Sequence, residues 1–328
     1  MVSVHRLSPQ DIFDDLQWMR KEHQGEYLAM YSSWFGGVLR DPPFMLLPMD
    51  DHLVHRGDGV FEAMKLVPGG LYLLERHLDR LERSADMISL PWPANREEVK
   101  NIILETARAA EADWGCMRLF ISRGPGDFSP SPTGSIGSQL YIVVTTLSTP
   151  SRTAMEKGCS LCTSNLPVKP GPLAKVKSCS YLSSVLMVQE AMDRGVDFTI
   201  SRDEEGRLGE GATDSFGIIT QQDEFVVPSS PHLLDGTSVA RAMELARGLA
   251  TDGRLRTVEE RHLYAEDFMA AKEILVFATT LDVLPVVEFD GQRIGEGEPG
   301  PWSRCFLELL QRDMEPGSES LTPLDKKG

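Results

Sequence analysis

Two strongly apolar strand patterns, separated by a loop rich in glycine and proline, constrain the fold of this chain more than any other feature. CMRLFIS ends at residue 122, QLYIVVTTL begins at residue 139, and the glycines and prolines lie between them. Dense β-branched and aromatic runs of this kind are typical of strands. Earlier in the chain, GVFEAMKLV and LYLL flank a VPGG turn and predict a hairpin.

Helical patterns alternate with these strands. Leu74, Leu78 and Leu81 recur at helical spacing, and Asn95 with Glu98 forms a capping box for a second helix. In the second half, strands are predicted at CSLCTS, DFTIS, SFGIIT, EFVVPS, EILVFATT and VLPVVEF. Helices are predicted up to Arg194, over LLDGTSVARAMELARGL and over residues 303–313. The mixture indicates the α+β class.

The length of 328 residues suits two domains rather than one small core. We expect an N-terminal helical extension over residues 1–40, opened by the Ser8-Pro9 helix start, which packs on the domain surface or at a dimer contact. A small domain is expected over 41–150 and a larger one over 151–314. The polar tail at 315–328 is predicted to be disordered.

Composition excludes several classes of partner. The net charge is −16 and the pI about 4.9, which argues against nucleic acid as a partner because phosphate binding needs clustered lysine and arginine. Stretches of 18 apolar residues and a signal peptide are both absent from the sequence, so we expect no membrane span and a cytoplasmic protein. Cys159 and Cys162 form a CxxC within a strand pattern, without a second ligand pair, so we predict structural cysteines and no metal.

Four separated features together form one chemical constellation. Lys177 precedes a predicted helix, Arg80 lies on another, Glu210 lies in GRLGEGATDS, and Gly236-Thr237-Ser238 opens a helix. Each alone is more often a surface residue, a turn or a helix cap. A helix N-terminus and an arginine suit a phosphate, a lysine can form a Schiff base, and a carboxylate can keep a pyridine nitrogen protonated. Those are the requirements of pyridoxal phosphate.

The chain resembles the class IV pyridoxal-phosphate aminotransferases, the fold-type IV family. The resemblance runs from about Phe44 to Leu310. It is carried by HRGDGVFEAMK, LLERHLDRL, VKSCSYLSSVLMVQEAMDRG, GRLGEGATDSFGI, LLDGTSVARAMELA and ATTLDVLPVVEFDGQRIGEGEPGP. It implies a small α/β sandwich domain, a larger α/β pseudo-barrel domain, and the cofactor between them.

The resemblance also implies a role for each matching residue. Lys177, rather than Lys175, is the Schiff-base lysine, and its amine moves the proton of the substrate. The cofactor-binding residues that it implies are Arg80, Tyr181, Glu210, Thr237, Ser238, Thr279 and Thr280. Of these, Tyr181 corresponds to a tyrosine on the phenolic oxygen, although its spacing from the lysine is one residue shorter than in branched-chain enzymes.

The substrate-binding segments depart from the family pattern. Phe128 and Pro130 stand where bacterial D-amino-acid aminotransferases carry an arginine and a histidine, and Ser215 replaces a usual asparagine. The GPGDFSPSP loop and the LPVKP run instead resemble the plant-type D-amino-acid aminotransferase and lyase-like branch.

Three residues are candidates for the substrate pocket: Phe61, Lys65 and Arg123. The alternatives are core packing for Phe61 and a surface position for Lys65. His55 is read as a turn residue or as part of the site.

Three functions stay open at this point. The first is an aminotransferase of D-amino-acid or branched-chain type, which takes an amino acid and a 2-keto acid. The second is an aminodeoxychorismate lyase, which forms 4-aminobenzoate and pyruvate. The third is a non-catalytic homologue, which has no need to keep Lys177, Glu210 and Arg80 together. The resemblance implies a homodimer.

Overall fold

The computed structural model describes residues 4–19 and 21–324, whose strands form two sheets. Numbered along the chain, the strands of the first sheet are β1 (Tyr27–Ser32), β2 (Gly37–Leu39), β3 (Gly59–Val67), β4 (Gly70–Tyr72), β5 (Gly115–Ser122), β6 (Gln139–Thr145) and β15 (Leu321–Pro323). Those of the second are β7 (Cys159–Pro167), β8 (Phe198–Arg202), β9 (Ser215–Ile219), β10 (Glu224–Pro228), β11 (Thr257–Arg261), β12 (Glu273–Ala278), β13 (Asp282–Phe289) and β14 (Gln292–Arg293).

Helices cover both sheets. They are α1 (Pro9–Trp18), α2 (His52–Arg56), α3 (Leu74–Met87), α4 (Arg96–Ala109), α5 (Arg152–Lys157), α6 (Leu182–Arg194), α7 (Thr237–Thr251), α8 (Ala265–Met269) and α9 (Pro301–Asp313). The predicted capping box at Asn95 and Glu98 is present at the start of α4. The α+β class predicted from the sequence is confirmed.

The first sheet is antiparallel throughout, in the order β15-β4-β3-β5-β6-β1-β2. Because side chains alternate along a strand, β3 directs Val60, Glu62 and Met64 to the core beneath α3 and Phe61 and Lys65 to the opposite face. This alternation decides which side chains of β3 can reach a cleft between the sheets.

The second sheet is mixed, in the order β11-β10-β9-β12-β13-β7-β8. The pairs β10–β11, β13–β7 and β7–β8 are parallel. One face packs against α7 and α9 through a cluster that includes Phe225, Phe277 and Phe306, and the other face carries a second apolar cluster. Cys159 and Cys162 are buried, unpaired thiols on β7.

The expected helical extension is wrong beyond residue 26. Its capped start is correct, since α1 begins after Ser8 with a full capping box, but residues 27–39 form β1 and β2. β1 pairs with β6 in the interior of the first sheet. Pairing with a distant strand outweighs the local helix preference of this segment.

The predicted disorder of the tail is also wrong for residues 315–324. Strand β15 pairs antiparallel with β4, and Leu321 lies opposite Tyr72. The polar composition of the tail gives no indication of this pairing, because the partner strand lies far away in sequence. The remainder of the predicted tail, residues 325–328, lies outside the described residues.

Candidate active site

Lys177 lies where the two sheets meet. It follows a short 3-10 helix, Gly171–Lys175, and precedes α6. Its carbonyl oxygen accepts the N–H of Phe61 on β3 at 2.9 Å, and its N–H donates to Ser84 Oγ on α3 at 3.1 Å. Cys179 N–H in turn donates to the carbonyl of Gly59 at 2.9 Å. The backbone on both sides of the lysine is therefore fixed to the first sheet.

The Lys177 amine is held in a partly buried, cationic environment. Its Nζ lies 4.5 Å from the ring centroid of Phe61 and 6.0 Å from that of Tyr181. Burial, and then the positive charge of Arg80, lower the pKa of Lys177 to about 8. A larger fraction of neutral, nucleophilic amine is thus present near neutral pH than for an ordinary lysine.

Arg80 is buried on α3 and held by Glu62. Its Nε and Nη2 donate to the two Glu62 oxygens at 2.6 and 2.7 Å, and its Nη1 donates to the carbonyl of Asp235 at 2.8 Å. His77 Nδ1 lies 2.7 Å from the same carboxylate. Burial opposes the charge of Glu62, yet Arg80 and His77 hold the pKa of Glu62 at about 2. Arg80 is therefore oriented before any ligand binds.

The N-terminus of α7 faces the same cleft. Gly236 is its N-cap residue and provides no side-chain cap. Within the described part of the chain, the first-turn N–H groups of Thr237 and Ser238 meet no acceptor. A Cβ at Gly236 would lie 2.6 Å from Ser215 Oγ, so the backbone approach needs glycine. Free N–H groups, hydroxyls and Arg80 form a donor set suited to a phosphate.

Glu210 is a further charged side chain in the lining of the cleft. Its Oε2 accepts the N–H of Leu234 at 3.1 Å, and its carbonyl accepts both the N–H and the hydroxyl of Ser201. Burial raises the pKa of Glu210, and the charges of Lys169 and Lys177 oppose that rise. The carboxylate can thus accept a hydrogen bond from the N–H of a protonated ring nitrogen bound in this cleft.

These side chains line one cleft. Of the predicted cofactor-binding residues, those lining it are Arg80, Tyr181, Glu210, Thr237, Ser238 and Thr279, together with Lys177. Thr280 is not part of this lining, although it follows Thr279 in the turn between β12 and β13. Tyr181 packs edge-on to Phe61, with ring centroids 5.1 Å apart.

Two predicted substrate residues are not brought to the cleft. Lys65 is buried and ion-paired with Asp282 at 2.5 Å, which ties β3 to β13. Arg123 forms an ion pair with Asp58 at 2.6 Å and donates to the carbonyls of Ile88 and Ser89. Both cations already have protein partners. Phe61, in contrast, lies beside Lys177 and Tyr181, away from the core beneath α3.

Three functional candidates were missed from the sequence. Glu62 and His77 lie behind Arg80, and Lys169 lines the cleft with its Nζ 5.5 Å from the Tyr181 ring centroid. A signal existed for Glu62, because an acidic residue occupies a core-facing position of an apolar strand, where it requires a cation. Lys169 carried no such signal.

His55 and Ser215 are two further residues that the sequence singles out. The ring nitrogens of His55 are buried and meet no partner in the described part of the chain, and its ring packs 4.8 Å from that of Phe128. Ser215 begins β9 and lines the cleft. His55 is thus not part of the lining of the Lys177 cleft, whereas Ser215 is.

Similarity to known proteins agrees with this geometry. A family model described as amino-transferase class IV matches residues 59–289. A chloroplastic D-amino-acid transaminase of Arabidopsis thaliana is 36% identical over 323 residues, which cover 98% of this chain and 85% of the relative. A bifunctional aminodeoxychorismate lyase / D-amino acid transaminase of Mycobacterium tuberculosis is 28% identical over 290 residues, 84% of this chain and 95% of the relative.

A solved structure shares the fold. It is a hypothetical aminotransferase from Mycobacterium tuberculosis in an α-ketoglutarate and PMP bound form. The TM-score is 0.73 at 27% identity, and the match covers 87% of this chain and 98% of that one. None of the helices in the described part of this chain has the length and apolar character that a bilayer-spanning helix requires.

Proposed function

The chain belongs to the class IV aminotransferases, fold-type IV enzymes that use pyridoxal phosphate, and from that premise we propose that it transfers the amino group of a D-amino acid to a 2-keto acid. One observation carries the catalytic part of the proposal: Lys177, Arg80, Glu210 and the N-terminus of α7 converge on one cleft. The 36% identity with a D-amino-acid transaminase over 98% of this chain supports the choice of donor.

The residues present fit the cofactor. Arg80, Thr237, Ser238 and Thr279 would hold its phosphate, and Glu210 its ring nitrogen. Lys177 would hold it covalently. When bound, pyridoxal phosphate supplies an electron sink for negative charge at the substrate α-carbon.

Each of the residues around the cofactor site has a separate role in the reaction. Lys177, freed by the incoming amino group, takes the proton from the α-carbon, and its lowered pKa suits a base near neutral pH. Glu210 would accept a hydrogen bond from the ring nitrogen and so keep that nitrogen protonated. Phe61 and Tyr181 form an aromatic wall beside Lys177 that excludes water from the reacting atoms.

We include a homodimer in the proposal. On α6, directly after the Lys177 segment, Leu182, Val185 and Met192 are 69%, 57% and 69% exposed. An apolar helix face of this kind is typical of a protein–protein interface, and its position beside the cleft supports a second copy as the occupant. The molecular mass in solution tests this, and a monomer that persists at micromolar concentration contradicts it. A cytoplasmic location is likewise a proposal, with the chloroplast of the Arabidopsis relative as the alternative.

The test of function is the visible absorption of the purified holoenzyme with D-alanine, L-leucine and L-glutamate added separately. We expect D-alanine alone to abolish the band, since transamination converts the cofactor to its amine form. Loss with an L-amino acid would instead indicate the branched-chain type. A band that none of them removes, with release of 4-aminobenzoate from aminodeoxychorismate, would favour the lyase. A chain that acquires no band with pyridoxal phosphate would be the non-catalytic homologue.

A further inference from the structure

The segment after α9 returns from the second sheet to the first. We name residues 314–324 the C-terminal strap. Its strand β15 pairs with β4, the N–H of Leu73 donates to the carbonyl of Ser320 at 2.8 Å, and the N–H of Leu324 donates to the carbonyl of Gly69 at 3.1 Å. The strap is thus hydrogen-bonded along the hairpin that precedes α3.

At Gly70 of the hairpin, the strap leaves no space for a side chain. A Cβ there would lie 2.3 Å from the carbonyl oxygen of Thr322. The backbone of Gly70 itself is not in the left-handed region, so an alanine is conformationally allowed. Only the seated strap excludes a side chain at this position.

One buried carboxylate, that of Asp313, contacts the strap and elements of both halves of the protein. Asp313, the last residue of α9, accepts the Tyr72 hydroxyl at 2.7 Å, Arg241 Nη2 at 2.6 Å and the Ser320 hydroxyl at 3.0 Å. Tyr72 ends β4 of the first sheet, Arg241 lies on α7, and Ser320 belongs to the strap. One side chain therefore joins the strap, the first sheet and α7.

The network continues to the helix that carries Arg80. Arg241 Nη1 donates to Glu244 at 2.9 Å, and the same Glu244 oxygen accepts Arg76 Nη2 at 2.5 Å. Arg76 lies one turn before Arg80 on α3, and Arg241 lies one turn after Thr237 on α7. The two elements that supply the phosphate donors are thus linked by the Arg76–Glu244 pair, and Arg241 connects Glu244 to Asp313.

We propose that the C-terminal strap, through Asp313 and Arg241, sets the spacing between α3 and α7 and so determines how tightly the chain binds the phosphate of its cofactor. This rests on the proposed roles of Arg80 and the α7 N-terminus. A phosphate held from two elements loses affinity when their spacing relaxes, whereas a ligand without the phosphate does not sense that spacing. Asp313 and Arg241 are positioning residues, since neither lines the cleft.

The test compares the dissociation constants of pyridoxal phosphate and of pyridoxal for the apo-protein, followed by absorbance. The variants are Gly70→Ala, which displaces the strap by one methyl group, and a chain ended after residue 314. Gly37→Ala is the matched control, because Gly37 opens another three-residue strand of the same sheet and a Cβ there meets nothing within 4 Å. A chain ended after residue 324 controls for truncation.

We expect both strap variants to bind pyridoxal phosphate roughly tenfold more weakly, an ordinary size for coupling between sites, with the affinity for pyridoxal unchanged. The two controls should match the wild type. Equal affinities in Gly70→Ala and wild type would overturn the inference, even if the shortened chain does not fold. A parallel loss for both ligands would also overturn it, as a general structural effect. If the wild type binds no pyridoxal phosphate, the proposed function fails together with this inference. If the wild type binds it and the strap variants bind it equally tightly, this inference fails alone.

Discussion

Arg80 and Glu62 form a two-point ion pair in which both side chains are buried, with Nε–Oε1 and Nη2–Oε2 distances of 2.6 and 2.7 Å. The pair joins α3 to β3. The carboxylate on the neighbouring strand therefore fixes the orientation of the arginine that is expected to bind the phosphate.

Replacing Glu62 with alanine should lower the free energy of unfolding by about 3–5 kcal/mol, because it leaves the Arg80 charge buried without a partner. Denaturant unfolding of the apo-protein measures this. The exposed Glu97→Ala is the control and should change stability little. Equal stabilities for the two variants would show that Glu62 does not stabilise Arg80.

Lys177→Ala should reduce the transamination rate by at least about 10²–10⁴-fold, since both the covalent attachment and the proton transfer are lost. Lys175→Ala is the matched control. Lys175 lies two residues away and pairs with Asp235 at 2.9 Å, outside the lining of the cleft. Single-turnover kinetics with the amino donor measure both. A similar loss in the two variants would contradict the assignment of Lys177.

The rate at which apo-protein incorporates pyridoxal phosphate should rise with pH through a midpoint near the pKa of Lys177, about 8. The sign follows from the chemistry, because only the neutral amine attacks a carbonyl and the amine is neutral above its pKa. Stopped-flow absorbance from about pH 6 to about pH 12 measures the midpoint, because this range extends beyond both the lowered and the ordinary lysine pKa. A midpoint near that of an ordinary lysine, about 10.4, would contradict the burial argument.

Lys169→Gln should move the acidic limb of the kcat–pH profile to higher pH. Burial raises the pKa of Glu210 and the Lys169 charge opposes that rise, so removing the charge raises the pKa further. Glu210 must be ionised to hold the proton of the ring nitrogen, and activity is then lost at a higher pH as the pH falls. Lys169→Arg keeps the charge and should restore the limb. An acidic limb that is identical in all three proteins would show that Lys169 does not influence the pKa of Glu210.

Lys65→Met should lower stability by about 1–3 kcal/mol, because Asp282 loses its partner. The KM for the amino donor should stay unchanged, since the Lys65 ammonium is already paired and does not line the cleft. Thermal unfolding and steady-state kinetics measure the two effects. A large rise in KM without loss of stability would restore Lys65 as a substrate-binding residue.

The cleft was predictable from the sequence to the extent that its residues lie in local patterns. Lys177 before a helix, Glu210 in a glycine turn and Thr237 at a helix start each occur in a recognisable segment. The ion pairs were not predictable in the same way. Lys65 and Asp282 are 217 residues apart, and whether a lysine faces a ligand or an aspartate depends on which strands meet.

The secondary structure was likewise predictable only where its determinants lie within one segment of the sequence. Helix α4 was predicted because its capping box and apolar spacing are contained in one segment. Strands β1 and β15 were missed because their pairing partners, β6 and β4, lie more than a hundred residues away and decide the strand state. Polar composition predicted disorder for β15, whereas tertiary hydrogen bonds order it.

The hydrogen bonds between the Lys177 segment and β3 have a consequence for solubility. β3 pairs with β5 along one edge, while β4 covers only Leu66 and Val67 of its other edge. The Lys177 segment covers that second edge at Gly59 and Phe61. If the segment detached, an apolar strand would present unpaired backbone groups to other chains, which is a route to aggregation. The segment that carries the reactive lysine thus also keeps the molecule from self-associating through an open sheet edge.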